Sequence, residues 1–310
     1  MRTLFVWAAV AVGAYCQARV GPGTAIVVDP KEPAALRKAA ADLAADFGRV
    51  FGKPARVASA ADPGSGAVVR VCLEHGLPGG VRRPAGTEVL HIKTVDDPAR
   101  RAIVLTGSDL RGAIYAVYHF SEQFLGVDPL YWWTDAVTPH RSVVVVPSGT
   151  AIISGPPAFR YRGWFINDED LLTGWKPGLR DGSGVAPEVW DRIFEALLRL
   201  KGNMIVPGTF IFPDEPQVKA AGERGLIVTQ HHIEVLGINT YRWPEAKPYS
   251  FTAQPDLLFS AWRNCVQDYA PSQEVVWTLG YRGRHDRPFW IDDASVGTSE
   301  EARAAVIRRA

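Results

Sequence analysis

Phe159–Asp170 reads FRYRGWFINDED: aromatic and β-branched residues run as far as Ile166, and the run then stops at Asn167, Asp168, Glu169 and Asp170. An apolar strand that ends in amides and carboxylates places polar chemistry at its C-terminal mouth, where α/β barrels hold their active sites. The stretch therefore predicts a buried first barrel strand with a catalytic loop behind it. A plainer reading of the same letters is a strand followed by an Asp-rich turn capping the next helix, and Glu169 and Asp170 suit a solvated turn.

Downstream, the pattern of strand, polar mouth and helix repeats. Pro187–Lys201 carries Val189, Ile193 and Leu197 on one row and Trp190, Phe194 and Leu198 on the next, which predicts a helix. Pro187 suits its first turn, Glu188 its positive end, and Arg199 and Lys201 its other end. Asn203–Val206 predicts a second strand, Gln217–Gly225 a short helix, and Leu226–Gln230 a third strand leading into His231, His232, Ile233 and Glu234. Pro255–Tyr269 predicts a helix and Glu274–Leu279 a fourth strand, followed by Arg282, Gly283, Arg284, His285 and Asp286. Alternating β and α at this spacing argues for a parallel sheet. Four such units make the first half of a (β/α)8 TIM barrel, and Ser299–Ala310 predicts one further helix. A half barrel leaves sheet edges open, so the expectation is a chain truncated on its C-terminal side and poorly soluble by itself. A doubly wound sheet is the alternative.

Upstream lies a second unit. Thr24–Val28 predicts a strand; Leu36, Ala40, Leu43, Phe47 and Val50 recur at helical spacing, with Gly52 and Pro54 as the stop. Strands are expected at Val68–Leu73, Val89–Ile92, Ala102–Leu105 and Ser142–Val146, and a helix carries Ile114, Val117, Tyr118 and Phe124 up to Gly126. These elements form an N-terminal α/β domain over residues 19–148. Residues 149–158, with Gly149, Gly155, Pro156 and Pro157, are expected to be a linker without regular structure, and residues 159–310 the partial barrel. The block Leu130–Asp135, with Tyr131, Trp132 and Trp133, suits the joint between the two units, where large aromatics dominate, better than a sugar-stacking platform.

The 310 residues are 47% hydrophobic and 22% charged, with 34 Lys and Arg against 33 Asp and Glu. That is the composition of a globular chain with mass for two domains, and the near-zero net charge argues against nucleic acid as a partner. Arg2, the apolar run Leu4–Ala14 and Cys16-Gln17-Ala18 predict a signal peptide over residues 1–18, hence a secreted or periplasmic protein. The run is too short to span a membrane. Removal of that segment leaves Cys72 and Cys265, in different domains, so no disulfide framework is expected.

Four motifs, taken together and in order, carry a resemblance. Arg162-Gly163-Trp164-Phe165-Ile166-Asn167-Asp168-Glu169, then Leu200-Lys201-Gly202-Asn203, His231-His232, and Tyr281-Arg282-Gly283 with Asp286 resemble glycoside hydrolase family 115, the xylan α-1,2-glucuronidases. Gly107-Ser108-Asp109, Arg111-Gly112, Ile114-Tyr115 and Tyr131-Trp132-Trp133 are similar to that family's N-terminal domain. The resemblance implies removal of glucuronic acid or 4-O-methylglucuronic acid from xylan or a related plant-type glycan, with inversion. Such hydrolysis uses two carboxyls roughly 6.5–9.5 Å apart, one as acid and one as base. By motif, Asp168 and Asp286 are the catalytic pair. Asn167, Glu169, His231, His232, Glu234 and Arg282 are the substrate-binding residues, with Arg282 suited to pairing the uronate carboxylate. The family's barrel supplies further site residues from later strands, so the site in these residues is expected to be incomplete; a homodimer is compatible with a full-length form.

The sequence departs from the family pattern where Ile233 separates the histidines from Glu234, and where Met204–Phe210 lacks a Trp-Pro pair. Both departures point to a divergent branch. Read without the resemblance, adjacent His231 and His232 on a strand face opposite ways, leaving one for a site. His-His-x-Glu is not the His-Glu-x-x-His metal pattern, so no metal and no cofactor are expected. Asp286 could pair with Arg284 or Arg287 on its own loop. A non-catalytic carbohydrate-binding module and a hexosaminidase-like exo-glycosidase are the other functions the sequence admits.

Overall fold

A computed structural model of the chain describes residues 17–59, 67–96, 101–167, 169–172, 185–209, 212–269 and 273–310. Most of the expected signal peptide, residues 1–16, and the candidate acid Asp168 lie outside them.

The first unit is a six-stranded sheet in the order β3 (Arg56–Ala58), β2 (Ala25–Val28), β4 (Val68–Val71), β6 (Arg101–Gly107), β5 (Leu90–Asp96), β8 (Ala151–Ile153). The first four are parallel, and β5 and β8 each run antiparallel to their neighbour. α1 (Ala34–Phe51) buries Leu36, Ala40, Leu43, Phe47 and Val50, the row its spacing predicts. It stops at Gly52, whose φ of 76° lets its N–H reach the Gly48 carbonyl at 2.9 Å. α2 (Leu110–Phe120) starts on Asp109, which accepts from the Gly112 N–H at 2.9 Å, and continues through a π turn, Ser121–Leu125.

Two expectations fail here. Within the expected linker, Ala151–Ile153 forms β8: its two isoleucines complete the sheet edge against His91, Ile92 and Lys93. The expected strand at Ser142–Val146 exists as β7 (Val144–Val146), but it pairs antiparallel with β1 (Ala18–Val20) in a separate two-stranded sheet.

The second unit holds β9 (Gly163–Phe165), α3 (Pro187–Arg199), β10 (Met204–Val206), α4 (Pro216–Glu223), β11 (Ile227–Thr229), α5 (Pro255–Asp268) and β12 (Val275–Val276), then α6 (Phe289–Asp292) and α7 (Glu300–Arg309). The four strands are parallel and lie in chain order β9-β10-β11-β12. A doubly wound sheet reverses its strand order at a switch point; these four strands do not. β9 was expected to be buried and is not, because it has only β10 beside it: Trp164 is half-buried and Phe165 is 44% exposed.

The two units share one core. A single apolar cluster runs from Leu36, Leu43 and Phe47 of α1, through Ile114 and Val117 of α2 and Val189, Ile193 and Leu197 of α3, to Ile205 of β10 and Val228 of β11. α3 lies between the first unit's helices and the second unit's sheet. Burial of this kind stabilises by roughly 25 cal/mol per Å² of apolar surface, so the joint is part of the fold's main driving force.

Candidate active site

Parallel strands deliver their following loops to one end of a sheet, and every described polar residue named by the motifs except Glu234 is displayed there. Asn167 follows β9 and accepts a hydrogen bond at Oδ1 from Thr209, which follows β10, at 3.2 Å. His231 and His232 follow β11. Their rings lie 4.0 Å apart at 35°, and His231 also meets the Phe165 ring at 5.2 Å. The expectation that the two histidines face opposite ways fails because β11 ends at Thr229, so the alternation of a strand does not reach them. Both can face one site.

The loop after β12 brings Asp286 to this pair. His232 Nε2 sits 3.2 Å from Asp286 Oδ1, and the same oxygen is ion-paired with Arg282. Among the described residues nothing bonds Asp286 Oδ2. Asp286 thus pairs with neither Arg284 nor Arg287: Arg287 is held by Asp292 at 2.9 Å, and Arg284 donates its side chain to the Pro244 carbonyl at 2.9 Å. All three members of the cluster are open to solvent, His232 at 54%, Asp286 at 51% and Arg282 at 38% side-chain exposure.

The loop is shaped by unusual backbone geometry. His285 and Asp286 have φ of 50° and 68°, a conformation costing non-glycine residues about 1–3 kcal/mol each and common at functional sites. It is held from several sides: the Gly283 N–H donates to the Arg287 carbonyl at 2.9 Å, the Arg284 N–H to Asp292 at 2.6 Å, and the His285 N–H to Thr240 Oγ1 at 3.2 Å. A Cβ at Gly283 would come within 2.4 Å of Asp292 Oδ2, so this position requires glycine. Tyr281 is buried and anchors the loop by accepting from the Phe251 N–H at 2.7 Å; burial pushes its phenol up to about 12. The Tyr-Arg-Gly motif is thereby explained as anchor, displayed cation and close approach.

Glu234 corrects the sequence reading. It was expected at the substrate, yet its side chain is fully buried, and Oε2 accepts from the His231 N–H at 3.2 Å. It positions the histidine loop from behind. Glu169 opens a short turn, Glu169–Leu172, and its side chain, like the whole of Asp168, lies outside the described residues.

Several motif residues belong to the joint instead. Glu88 of the first unit, almost fully buried, accepts from Arg111 Nε at 2.6 Å, Arg162 Nη2 at 2.5 Å and Asn203 Nδ2 at 2.9 Å. Burial pushes its carboxyl up, but the three donors outweigh that and hold it below the ordinary range. Arg162 and Asn203 therefore fix β9 and β10 to the first unit. Gly163 has the matching role: its missing Cβ would lie 2.3 Å from the Met204 carbonyl oxygen. Tyr131 occupies the joint as expected, taking Arg49 at 2.8 Å and Arg192 at 3.0 Å on its hydroxyl, and Trp133 donates to the Arg192 carbonyl at 3.3 Å. Arg199, read from sequence as a helix-end charge, is buried against Asp46 and Glu195. Arg224 is buried between Asp42 and Asp191, each at 2.6 Å. The one sequence signal for these pairs was the Glu195/Arg199 spacing of four on α3, which on a surface helix signifies little.

Comparison with known proteins fits this arrangement. No curated protein matches the chain. A solved structure described as a novel family GH115 4-O-methyl-α-glucuronidase, BtGH115A, with specificity for decorated arabinogalactans is 24% identical, with a TM-score of 0.78. The match covers 94% of this chain and 39% of that one, so the chain spans about two fifths of the length of the structure it resembles. A mutant Streptomyces plicatus β-hexosaminidase in complex with GlcNAc is a weaker likeness, at 16% identity and a TM-score of 0.44, over 69% of this chain and 42% of that one. The glucuronidase likeness establishes a shared fold across both units. The family description for glycosyl hydrolase family 115 matches residues 154–310, just over half of the sequence and the whole of the sheet that carries the His232–Asp286–Arg282 cluster. The chain belongs to glycosyl hydrolase family 115.

Proposed function

We propose that the protein is an exported glycoside hydrolase that releases glucuronic acid or 4-O-methylglucuronic acid, with inversion, from xylan or a related plant-type glycan. In this reading residues 159–310 are the first half of its (β/α)8 barrel, to which later strands add. The observation that carries the proposal is the juxtaposition of Arg282, Asp286 and His232 at the carboxyl end of a parallel sheet, in a family 115 chain. Family membership supports hydrolysis of a glycosidic bond; strands in chain order with both outer edges free support an unclosed barrel wall.

The roles follow from the chemistry. A uronate carboxylate approaching the cluster competes with Asp286 for the Arg282 guanidinium, a planar fork suited to two parallel hydrogen bonds. Release from Arg282 leaves Asp286 to act on a proton, with His232 beside it to orient the carboxyl or bond a sugar hydroxyl. Asp168 is the partner carboxyl assigned by motif. The glycan on which the similar structure acts, a decorated arabinogalactan, is a candidate alongside glucuronoxylan.

The test is incubation of the protein with 4-O-methylglucuronoxylan and with glucuronate-decorated arabinogalactan, following free uronic acid and the anomer first formed. Asp286→Asn should abolish release without loss of fold. Arg282→Ala should raise KM for uronate-bearing substrates, since charge-assisted hydrogen bonds contribute about 1.5–3 kcal/mol. Unchanged turnover in Asp286→Asn would remove the assignment.

A further inference from the structure

Beside the candidate site, and apart from it, lies a cavity of about 460 Å³ between α4, the segment after β11 and α5. That volume suits a small ligand such as one or two sugar rings. Its floor is the buried run Gly237, Ile238 and Asn239 with Trp243; its mouth carries Asp214, Lys219, Arg242 and Asp268. The mechanism proposed above uses none of these residues.

One atom of the lining is unmet. Asn239 is 4% exposed; its Oδ1 accepts from the Tyr241 N–H at 3.0 Å, which fixes which way round the amide stands, because that N–H needs an acceptor. Its Nδ2 donor is buried with no hydrogen-bond partner. A buried donor left unbonded is costly, and such a group commonly marks the place of a missing ligand or water.

The charges at the mouth indicate what kind of acceptor belongs there. Two bases face two acids, and Arg242 is already engaged, paired with Asp214 at 2.8 Å and stacked over the Phe212 ring at 3.2 Å. At the inner wall the local field is acidic: burial, then Asp268, Glu234 and Asp214, push the Cys265 thiol up to about 11. An anion entering would meet that field, whereas a neutral polyol would meet carboxylates as hydroxyl acceptors, an amide donor and an indole edge. The cavity is also tied to the candidate catalytic turn, because the residues after Asn239 touch it: Thr240 Oγ1 accepts from the His285 N–H, and the Tyr241 ring lies 4.1 Å from that of His285.

We propose that this cavity is a subsite for a neutral sugar residue of the glycan, with Asn239 Nδ2 as its hydrogen-bond donor, so that the neutral backbone is held while the uronate branch lies at Arg282 and Asp286. The identity of the glycan rests on the glucuronidase reading; the existence of the subsite is testable without it.

The experiment measures binding of neutral xylotetraose and neutral galactotetraose to the intact protein by titration calorimetry and saturation-transfer NMR. The variants are Asn239→Asp, which keeps the acceptor for Tyr241 and loses the donor, and Ala261→Trp, which fills the cavity from α5. Thermal melts establish that each is folded. One of the two oligosaccharides should bind saturably, and each variant should weaken it about tenfold, as expected for one lost hydrogen bond to an otherwise unmet donor. Alkylation of Cys265, which lines the cavity, should slow when the sugar is bound. No saturable binding to the wild type, or equal binding by both folded variants, overturns the subsite. Neutral-sugar binding that both variants weaken, in a protein that releases no uronate, upholds the subsite and rejects the glucuronidase reading instead.

Discussion

Arg199→Met is the most searching perturbation of the joint. Arg199 has 1% side-chain exposure; its Nη2 donates to both oxygens of Asp46, at 3.0 and 2.8 Å, and its Nε to Glu195 at 2.8 Å. Arg49, at 2.9 Å, and the Ser121 hydroxyl, at 2.6 Å, also bond Asp46, so four hydrogen bonds converge on a carboxylate that is ionised at neutral pH. Methionine keeps much of the volume but leaves Asp46 buried with half its donors gone. Breaking a buried pair from one side costs about 3–5 kcal/mol, which for a protein of this size lowers the melting temperature by roughly 10 °C. The pH dependence gives a sharper test. Burial pushes the Asp46 carboxyl above its ordinary range, and Arg199 is the largest opposing influence, so the variant's Asp46 must rise further. A group raised in the folded state stabilises fully below its unfolded value and loses that contribution as pH climbs through its folded value. The deficit of Arg199→Met should therefore be smaller near pH 4.5 than near pH 8, measured by urea unfolding at both. A loss under about 1 kcal/mol at pH 8, or a deficit that grows on acidification, would refute this account of the joint.

Three further outcomes are expected. Asp191 behaves oppositely to Asp46: burial pushes it up, but Arg224 and Lys38 overcome this and hold it at about 2. Its contribution is present above the unfolded carboxyl range and is lost as pH falls toward 2, so Asp191→Asn should flatten the acid limb of a stability-versus-pH curve; an unchanged limb would count against the pairing. Gly283→Ala should disturb the turn that holds Asp286, because the added Cβ meets Asp292 and the Arg287 and Pro288 carbonyls; overpacking of this kind costs about 1–3 kcal/mol, read as a lower melting temperature with loss of turnover. Cys72, pushed up to about 12 by burial with Glu32 adding to it, should resist alkylation until the protein unfolds, while Cys265 reacts slowly in the native state; peptide mapping by mass spectrometry would distinguish them.

Much of the architecture was legible in the letters because it rests on periodicity. The rows of α1 and α3, Pro187 at the start of a helix and Gly126 at the end of another all follow from local rules. The parallel second sheet followed from the alternation of units. What escaped were short pieces whose existence depends on a distant partner: β1, β3 and β8 have three residues each and form only against β7, β2 and β5. The site was half legible. Arg282, Asp286 and the two histidines converge as their motifs implied, but the stacking of His231 on His232 depends on β11 ending early, and the burial of Glu234 depends on the loop folding back over it. Charges at Asp46, Glu88, Glu195 and Arg224 were illegible for a plainer reason. A charged residue in a sequence looks solvated until its counter-ion is found, and here the counter-ions are up to 182 residues away.

The three knots of buried charge across the joint also settle how the two units are aligned. Apolar contact has no direction, so helices packed by oil alone can slip by a fraction of a turn at little cost; hydrogen-bonded ions have both a length and an angle, and cannot. Glu88 grips Arg162, the residue immediately before β9, and Asn203, the residue immediately before β10. The first unit therefore indexes two neighbouring strands at their entry ends, and any displacement there is carried along three residues of extended chain to the opposite ends, where Asn167 and Thr209 stand. The N-terminal unit acts as a jig for the mouth of the sheet, reaching through the length of two strands to side chains it never touches.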